Sequence, residues 1–183
     1  YVDGIGRELA RAAQDFSRRY ARELGVMMDV RSISVTANVP FGKVLGASAN
    51  GRRAGMPVSD GTSASQGADS HGPAAVLLSN FNTKNYDNKE REGRLLNIKF
   101  TPRSVAGEEG SRRLMAFLRS FCDLRLWHVQ FNVINRETLI EAQRTPDLYR
   151  GLIVRIAGYS AYFVDLSRDL QNDLIARTSH DAW

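Results

Sequence analysis

The residues that most often perform enzyme chemistry are few in this chain and far apart. The three histidines are His71, His128 and His180, and the single cysteine is Cys122. A metal site needs several such ligands at characteristic spacings, and a nucleophilic cysteine needs a base within reach. Neither pattern is present in the sequence. We therefore expect no bound metal, and we interpret Cys122, which lies in an apolar helical stretch, as a buried packing thiol.

A more unusual candidate is the lone glycine at position 158. It interrupts the stretch 153–163, in which apolar β-forming residues precede the glycine and aromatic residues follow it directly. This pattern predicts a strand that delivers one glycine to a buried loop. From the residue types alone, the favoured interpretation is a bend that needs positive φ or a close backbone approach.

The neighbours of Gly158 resemble the signature of the glycyl radical enzymes, the family of pyruvate formate-lyase. The signature residues are Ile153-Val154-Arg155-Ile156-Ala157-Gly158-Tyr159-Ser160-Ala161, and the similarity continues through 164–178. Other segments that look like family landmarks are 38–42, 50–52, 58–61, 71–73, 96–100 and 130–133. The resemblance covers essentially the whole chain, and it implies the C-terminal portion of such an enzyme.

The resemblance implies that Gly158 stores an organic radical on its Cα atom. Glycine suits this role because a side chain would crowd the planar radical and twist it out of the plane of the adjoining amides. In the family, an iron–sulfur radical-SAM activating enzyme removes the glycine hydrogen. Arg155, Tyr159 and Ser160 are expected to shape the loop, and a packing role for them is as open as a direct chemical one.

The family also uses a cysteine and a neighbouring carboxylate on a separate upstream loop. The glycyl radical is relayed to that cysteine, which attacks a small-molecule substrate. Cys122 does not match the setting of that loop, and no other cysteine is present in this chain. The resemblance therefore implies that these residues hold the radical store and need the remainder of a longer chain for activity.

The substrate is predicted from local similarities within the family. The contexts 35–40 and 127–130 most resemble the branch that cleaves isethionate at its carbon–sulfur bond to give acetaldehyde and sulfite. In that branch an arginine before the corresponding strand grips the sulfonate, and Arg31 falls at this place. A guanidinium can bind two sulfonate oxygens at once. A surface role for Arg31 is the equal alternative.

Other functions stay open at this stage. Choline trimethylamine-lyase and glycerol or propanediol dehydratase are alternative activities within the family. A free-standing subunit that replaces a damaged glycyl loop is an alternative for the whole chain. The chain begins at Tyr1 without an initiator methionine, so we expect that it was cut from a longer protein.

The elements that must position Gly158 alternate between helices and strands, which predicts an α/β fold. The predicted helices are 3–24, 110–121, 136–145 and 167–178, and the predicted strands are 31–39, 95–100, 127–134 and 152–157. Along the third strand, alternation places His128, Gln130 and Asn132 on one face, which either meets solvent or lines a polar cavity. Residues 40–73 are predicted to form a long loop, and 73–80 a short helix or strand.

The resemblance implies a larger architecture than these elements alone provide. Four strands are too few for a closed barrel, so they either make a small sheet or complete a larger one. The resemblance implies the last part of an α/β barrel with the glycine loop threaded into its centre. Residues 1–59 would end the barrel domain, and residues 60–183 would form a glycine radical domain. The family also implies a homodimer in the cytoplasm, either free or inside a bacterial microcompartment.

Composition narrows the class of partner. The chain has 183 residues, a formal charge of +5 and a pI near 9.7, which is compatible with nucleic-acid binding. However, its 21 arginines are spread along the chain, many of them beside acidic residues. No apolar run approaches the roughly 20 residues of a membrane span. We expect neither nucleic acid nor membrane as a partner.

Overall fold

The computed structural model describes residues 1–28, 36–83 and 94–183. The elements, in chain order, are α1 (Val2–Leu24), α2 (Asn38–Val44), α3 (Pro73–Thr83), β1 (Leu95–Phe100), α4 (Gly107–Asp123), β2 (His128–Val133), α5 (Arg136–Arg144), β3 (Ile153–Arg155), β4 (Ser160–Tyr162), α6 (Arg168–Ala176) and β5 (Ser179–His180). This alternation confirms the predicted α/β class. Among the described residues, no helix has the length and apolarity needed to cross a membrane.

The strands form one parallel sheet and one hairpin. The sheet has the order β2-β1-β5, and both edge strands run parallel to β1. In the β1–β2 register, Asn97 lies opposite Gln130 and Lys99 lies opposite Asn132. Strands β3 and β4 pair antiparallel, with Arg155 opposite Ser160. Four polar side chains of the sheet therefore lie side by side.

Two apolar clusters hold these layers together. One lies between β1, α3 and α4 and contains Val76, Leu77, Leu96, Ile98, Phe100 and Phe117. The other surrounds the β3–β4 hairpin with α5 and α6, and contains Ile134, Leu139, Ala142, Val154, Ile156, Phe163, Leu174 and Ile175. Strand β1 is buried along most of its length, as expected for a parallel strand that is covered on both faces. The hairpin thus has its own core, which anchors both of its strands.

The predicted strand 31–39 is wrong where the structure describes it. Residues 29–35 lie outside the described residues, and helix α2 begins at Asn38. Pro40 does not end a strand there. It lies in the first turn of α2, where its missing N–H removes no helical hydrogen bond.

The sequence predicted the short elements only in part. Residues 73–80 belong to helix α3, so the helical alternative is the one observed. Strands β4 and β5 were not predicted because segments of three and two residues are too short to show a period. The loop predicted over 40–73 is present but shorter, because α2 extends to Val44 and α3 begins at Pro73. The chain turns at Asn50 within this loop.

Helix α1 is confirmed, and the apolar stripe by which such a helix packs against a partner surface is not covered by the described chain. Leu9, Phe16 and Leu24 are 66%, 57% and 64% exposed, whereas Gln14 and Ser17 are buried. The polar side of α1 faces the rest of the described chain, and its apolar stripe points away.

Asp3 connects α1 to α3: it accepts hydrogen bonds from Ser79 Oγ at 2.8 Å and Asn82 Nδ2 at 3.1 Å, both on α3. Cys122 is exposed. It lies on the outer side of α4, while Phe117 of the same helix enters the core, so it is not a buried packing thiol.

Candidate functional site

Gly158 lies at the tip of the β3–β4 hairpin. Its φ is +82°, a value that glycine adopts without the strain other residues incur. A Cβ atom there would meet no described atom within 4 Å. Ile156 and Ala157, which precede it, are 0% and 1% exposed, but Gly158 itself is exposed. The predicted burial of this glycine is therefore absent within the described chain, because the tip projects beyond the core that holds the hairpin.

Strand β2 supplies the side chains that hold this hairpin to the sheet. Asn132 makes two hydrogen bonds with the backbone of Arg155: its Oδ1 accepts the Arg155 N–H at 2.8 Å, and its Nδ2 donates to the Arg155 carbonyl at 2.7 Å. The side-chain amide of Asn132 thus makes the two hydrogen bonds to Arg155 that the backbone of a neighbouring strand would otherwise make. Gln130 Oε1 accepts two donors, the Gly158 N–H at 3.1 Å and Arg155 Nε at 3.1 Å.

The polar stripe predicted on β2 therefore lines the interior of the molecule near the glycine loop. Gln130 is 5% exposed, and its Nε2 donates to Asn97 Oδ1 on the neighbouring strand β1. Asn132 is half-buried and His128, at the start of the strand, is exposed. The alternation allowed this face either to meet solvent or to line a polar cavity. For Gln130 and Asn132 the second alternative is correct.

A chain of polar contacts leads from Gln130 back to the hairpin. Asn97 Nδ2 donates to Asp60 Oδ2, and the same oxygen lies 3.1 Å from Arg177 Nη1. Arg177 Nη1 also donates to the Ile156 carbonyl at 2.9 Å. These contacts therefore form a closed ring with the backbone of Ile156, Ala157 and Gly158. Through this ring, both ends of the glycine tip are connected to the buried Asp60–Arg177 ion pair.

Arg177 lies between two carboxylates in this ring. Its Nη2 is 2.9 Å from Asp173 Oδ2, and the side chains of Arg177, Asp60 and Asp173 are 9%, 8% and 2% exposed. Asn38 Nδ2 at 3.2 Å and Gln66 Nε2 at 2.7 Å also donate to the Asp173 carboxylate. Burial raises the pKa of Asp60 above its usual value, although Arg177 and the Asn97 amide offset part of that effect.

Lys99 is the second buried cation near the hairpin. It is 4% exposed, and its Nζ donates to the carbonyls of Leu174 at 3.0 Å and Ile175 at 3.4 Å. These carbonyls belong to the last turn of α6, where a positive charge is favoured by the helix dipole. Burial lowers the pKa of Lys99 to about 8, and repulsion from Arg177 contributes to this shift.

The predicted site residues are distributed as follows. Arg155 Nη1 donates to Ser160 Oγ at 3.1 Å across the hairpin, so these two residues contact each other beside Gly158. Tyr159 is 44% exposed, and its carbonyl accepts the Ile156 N–H at 3.0 Å. Arg31 lies outside the described residues.

The sequence interpretation assigned no role to the residues of the ring. Asp60, Asn97, Gln130 and Arg177 fall within segments that look like family landmarks. The signal for Gln130 was the alternation along β2, which placed it on a polar face. No comparable signal linked Asp60 or Arg177 to the glycine, because the contacts join residues far apart in the chain.

Comparison with known proteins identifies the family. A profile described as glycine radical matches residues 58–164. The isethionate sulfite-lyase of Oleidesulfovibrio alaskensis is 63% identical over 182 residues, which cover 100% of this chain and 22% of the relative. The isethionate sulfite-lyase of Nitratidesulfovibrio vulgaris is 62% identical over 181 residues, covering 99% of this chain and 22% of the relative.

Solved structures agree with this assignment. The glycerol-bound, B12-independent glycerol dehydratase of Clostridium butyricum has a TM-score of 0.73 and 42% identity, covering 79% of this chain and 18% of that chain. The present chain spans about a fifth of the length of the curated relatives it matches. It belongs to the glycyl radical enzyme family and matches the C-terminal portion of such an enzyme.

Proposed function

We propose that Gly158 is the residue on which this protein stores an organic radical, and that the protein is an anaerobic radical lyase. The observation that carries the proposal is the hairpin tip itself. A glycine with φ of +82° follows two buried residues and projects from a hairpin that has its own core. Such a tip can present its Cα to another molecule while the strands stay in place.

The proposed chemistry is a transfer of hydrogen atoms. An activating enzyme of the radical-SAM class supplies an organic radical, which takes one hydrogen atom from the Gly158 Cα and leaves the unpaired electron there. The glycyl radical later takes a hydrogen atom from the S–H group of a cysteine elsewhere in the full-length protein. The resulting thiyl radical takes a hydrogen atom from the substrate, whose carbon–sulfur bond then breaks. The radical left after cleavage takes a hydrogen atom back from the S–H group, and the re-formed thiyl radical takes one from Gly158, which restores the glycyl radical.

Glycine is suited to this step because its radical is planar. The unpaired electron is delocalised towards the nitrogen on one side and the carbonyl on the other, which requires both amides to lie near one plane. Cβ would also force the residue out of the positive-φ region that Gly158 occupies. The buried neighbours Ile156 and Ala157 fix the entry into the tip.

For the substrate we propose isethionate, which would be cleaved to acetaldehyde and sulfite. The support is the identity of 62–63% to two isethionate sulfite-lyases over nearly the whole chain, compared with 42% to a glycerol dehydratase. Arg31 is the proposed sulfonate ligand in this chain. The alternative is a dehydratase that eliminates water from a diol, and turnover of isethionate and of glycerol by the activated full-length protein distinguishes the two.

The wider organisation is proposed on the same basis. Residues 1–59 would end the barrel domain, and residues 60–183 would form the glycine radical domain. The active protein would be a cytoplasmic homodimer in which the rest of the chain supplies the cysteine and its carboxylate partner. Reading the gene upstream of Tyr1 tests this directly, since it must contain an in-frame cysteine–carboxylate loop.

The radical assignment is tested by electron paramagnetic resonance of the activated full-length protein. The unmodified protein is expected to give a signal split by the single remaining α-proton. Gly158→Ala is expected to remove that signal, whereas Gly151→Ala, in the turn before β3 with open space around its Cα, is expected to keep it. An α-proton doublet that persists in the Gly158→Ala protein would refute the proposal.

A further inference from the structure

We propose that Gln130 is a positioning residue that fixes the amide of Gly158 in the orientation that stabilises the stored radical. This inference rests on the proposed function of Gly158. It concerns a side-chain contact to the Gly158 backbone among the described residues, between Gly158 N and Gln130 Oε1 at 3.1 Å. The hairpin pairing ends at Arg155 and Ser160, so the strands themselves do not hold this N–H group.

The orientation of the Gln130 amide is determined from both of its ends. Its Oε1 faces two N–H donors, from Gly158 and from Arg155 Nε, and only an oxygen can accept them. Its Nε2 faces Asn97 Oδ1. A flipped amide would place NH₂ against both donors and would lose all three hydrogen bonds.

The orientation of the Asn97 side-chain amide is determined in the same way, in this case by a buried ion pair. Its Nδ2 donates to Asp60 Oδ2, and that carboxylate is held by Arg177. An ionised carboxylate only accepts hydrogen bonds, so Asn97 must turn its Oδ1 towards Gln130. Polar groups in a connected buried chain polarise one another. The buried ion pair therefore dictates which atom of Gln130 meets Gly158.

This contact acts on the part of Gly158 that stabilises a radical. The amide nitrogen donates electron density to the Cα, and a hydrogen bond accepted from its N–H increases that density. A carbonyl dipole that is already aimed at the group need not reorganise when the hydrogen atom leaves. Gln130 is 5% exposed, so water does not replace it easily. The same contact keeps the Gly158 amide plane fixed relative to strand β2.

The test compares three variants of the full-length protein after anaerobic activation. Gln130→Met has a similar shape and removes the acceptor, whereas Gln130→Glu retains an acceptor for Gly158 N–H and Arg155 Nε. Gln143→Met is the matched control, because Gln143 bonds to Asn172 at the surface, away from the loop. Protein labelled with ¹⁵N-glycine gives the hyperfine coupling of the Gly158 nitrogen by electron–nuclear double resonance.

We expect Gln130→Met to change the ¹⁵N coupling and to shorten the anaerobic half-life of the radical about fivefold, the factor that corresponds to one neutral hydrogen bond. Gln143→Met should keep the coupling of the unmodified protein. Gln130→Glu should keep a hydrogen bond to the Gly158 N–H, although its carboxylate cannot donate to Asn97 Oδ1. The inference is overturned if Gln130→Met keeps both the coupling and the half-life, or if Gln143→Met changes them as much as Gln130→Met does.

Two further measurements keep the result interpretable. If Gln130→Met yields no folded protein, exchange of the Gly158 N–H for deuterium in the unmodified radical reports its hydrogen bond directly, and the absence of a hydrogen-bonded proton coupling overturns the inference. Loss of the glycyl signal in Gly158→Ala tests the proposed function separately. A normal glycyl radical that is insensitive to Gln130 would leave that function intact and refute only the positioning role.

Discussion

Replacing Arg177 with methionine is expected to release the glycine loop from the sheet. The arginine side chain is 9% exposed and lies between Asp60, which is 8% exposed, and Asp173, which is 2% exposed. The variant leaves two buried carboxylates without their cation and removes the donor to the Ile156 carbonyl at 2.9 Å. Removing one partner of a buried ion pair costs about 3–5 kcal/mol. At about 1.4 kcal/mol for each factor of ten, local opening should become more frequent by roughly two to four orders of magnitude.

Amide hydrogen exchange of the full-length protein measures this opening locally. Peptides that cover the β3–β4 hairpin and α6 should exchange faster in Arg177→Met by about the factor given above. Arg150→Met is the matched control, because its ion pair with Asp147 is exposed and such pairs contribute at most about 1 kcal/mol.

A second variant separates charge from shape. Asp60→Asn leaves Arg177 paired with Asp173 and retains an acceptor for Asn97, so we expect less than about a tenfold change in exchange. The reasoning is refuted if Arg177→Met exchanges like Arg150→Met. It is also refuted if Asp60→Asn opens the hairpin as much as Arg177→Met does.

Three further predictions address packing, ionisation and substrate. In Gly42→Ala the new Cβ would lie 2.2 Å from the Met56 carbonyl oxygen, so urea unfolding should show that the free energy of unfolding falls by about 1–3 kcal/mol. In the control Gly46→Ala, where the Cβ would meet open space, the free energy of unfolding should change by no more than about 0.5 kcal/mol. Equal losses in the two variants would contradict the packing argument. Because the pKa of Lys99 falls from 10.5 to about 8 on folding, the unfolded state binds more protons between these values. The unfolding free energy of the unmodified protein should therefore rise with pH across this window relative to Lys99→Met, and a flat difference would count against the shift. Arg31→Lys should raise the KM for isethionate about tenfold or more; an unchanged KM would remove Arg31 from the substrate site.

The sequence alone determined the features that depend on local pattern. Long periodic segments such as α1 and α4 were predicted correctly because an amphipathic period persists over several turns. Alternation along β2 placed Gln130 and Asn132 on one face, because successive side chains of a strand point to opposite sides. The signature around Gly158 indicated the family, which the comparisons confirm.

The tertiary structure decided which surfaces are covered and which distant residues meet. Periodicity marks an apolar face but not its partner, so the sequence did not show that the described chain leaves the apolar stripe of α1 uncovered, and Cys122, which was expected to be buried, is exposed. Pro40 ended a predicted strand, although the first turn of a helix tolerates it equally well.

The contacts around the glycine loop were also decided by the tertiary structure. Asp60, Asn97, Gln130 and Arg177 lie in separate segments, and only the parallel sheet and α6 bring them together. No local pattern encodes that ring, because each of its hydrogen bonds depends on where two remote elements pack. The sequence predicted a glycine at a bend that needs positive φ, and Gly158 has that conformation. The packing of β1, β2 and α6 determined which side chains hold the backbone around that glycine.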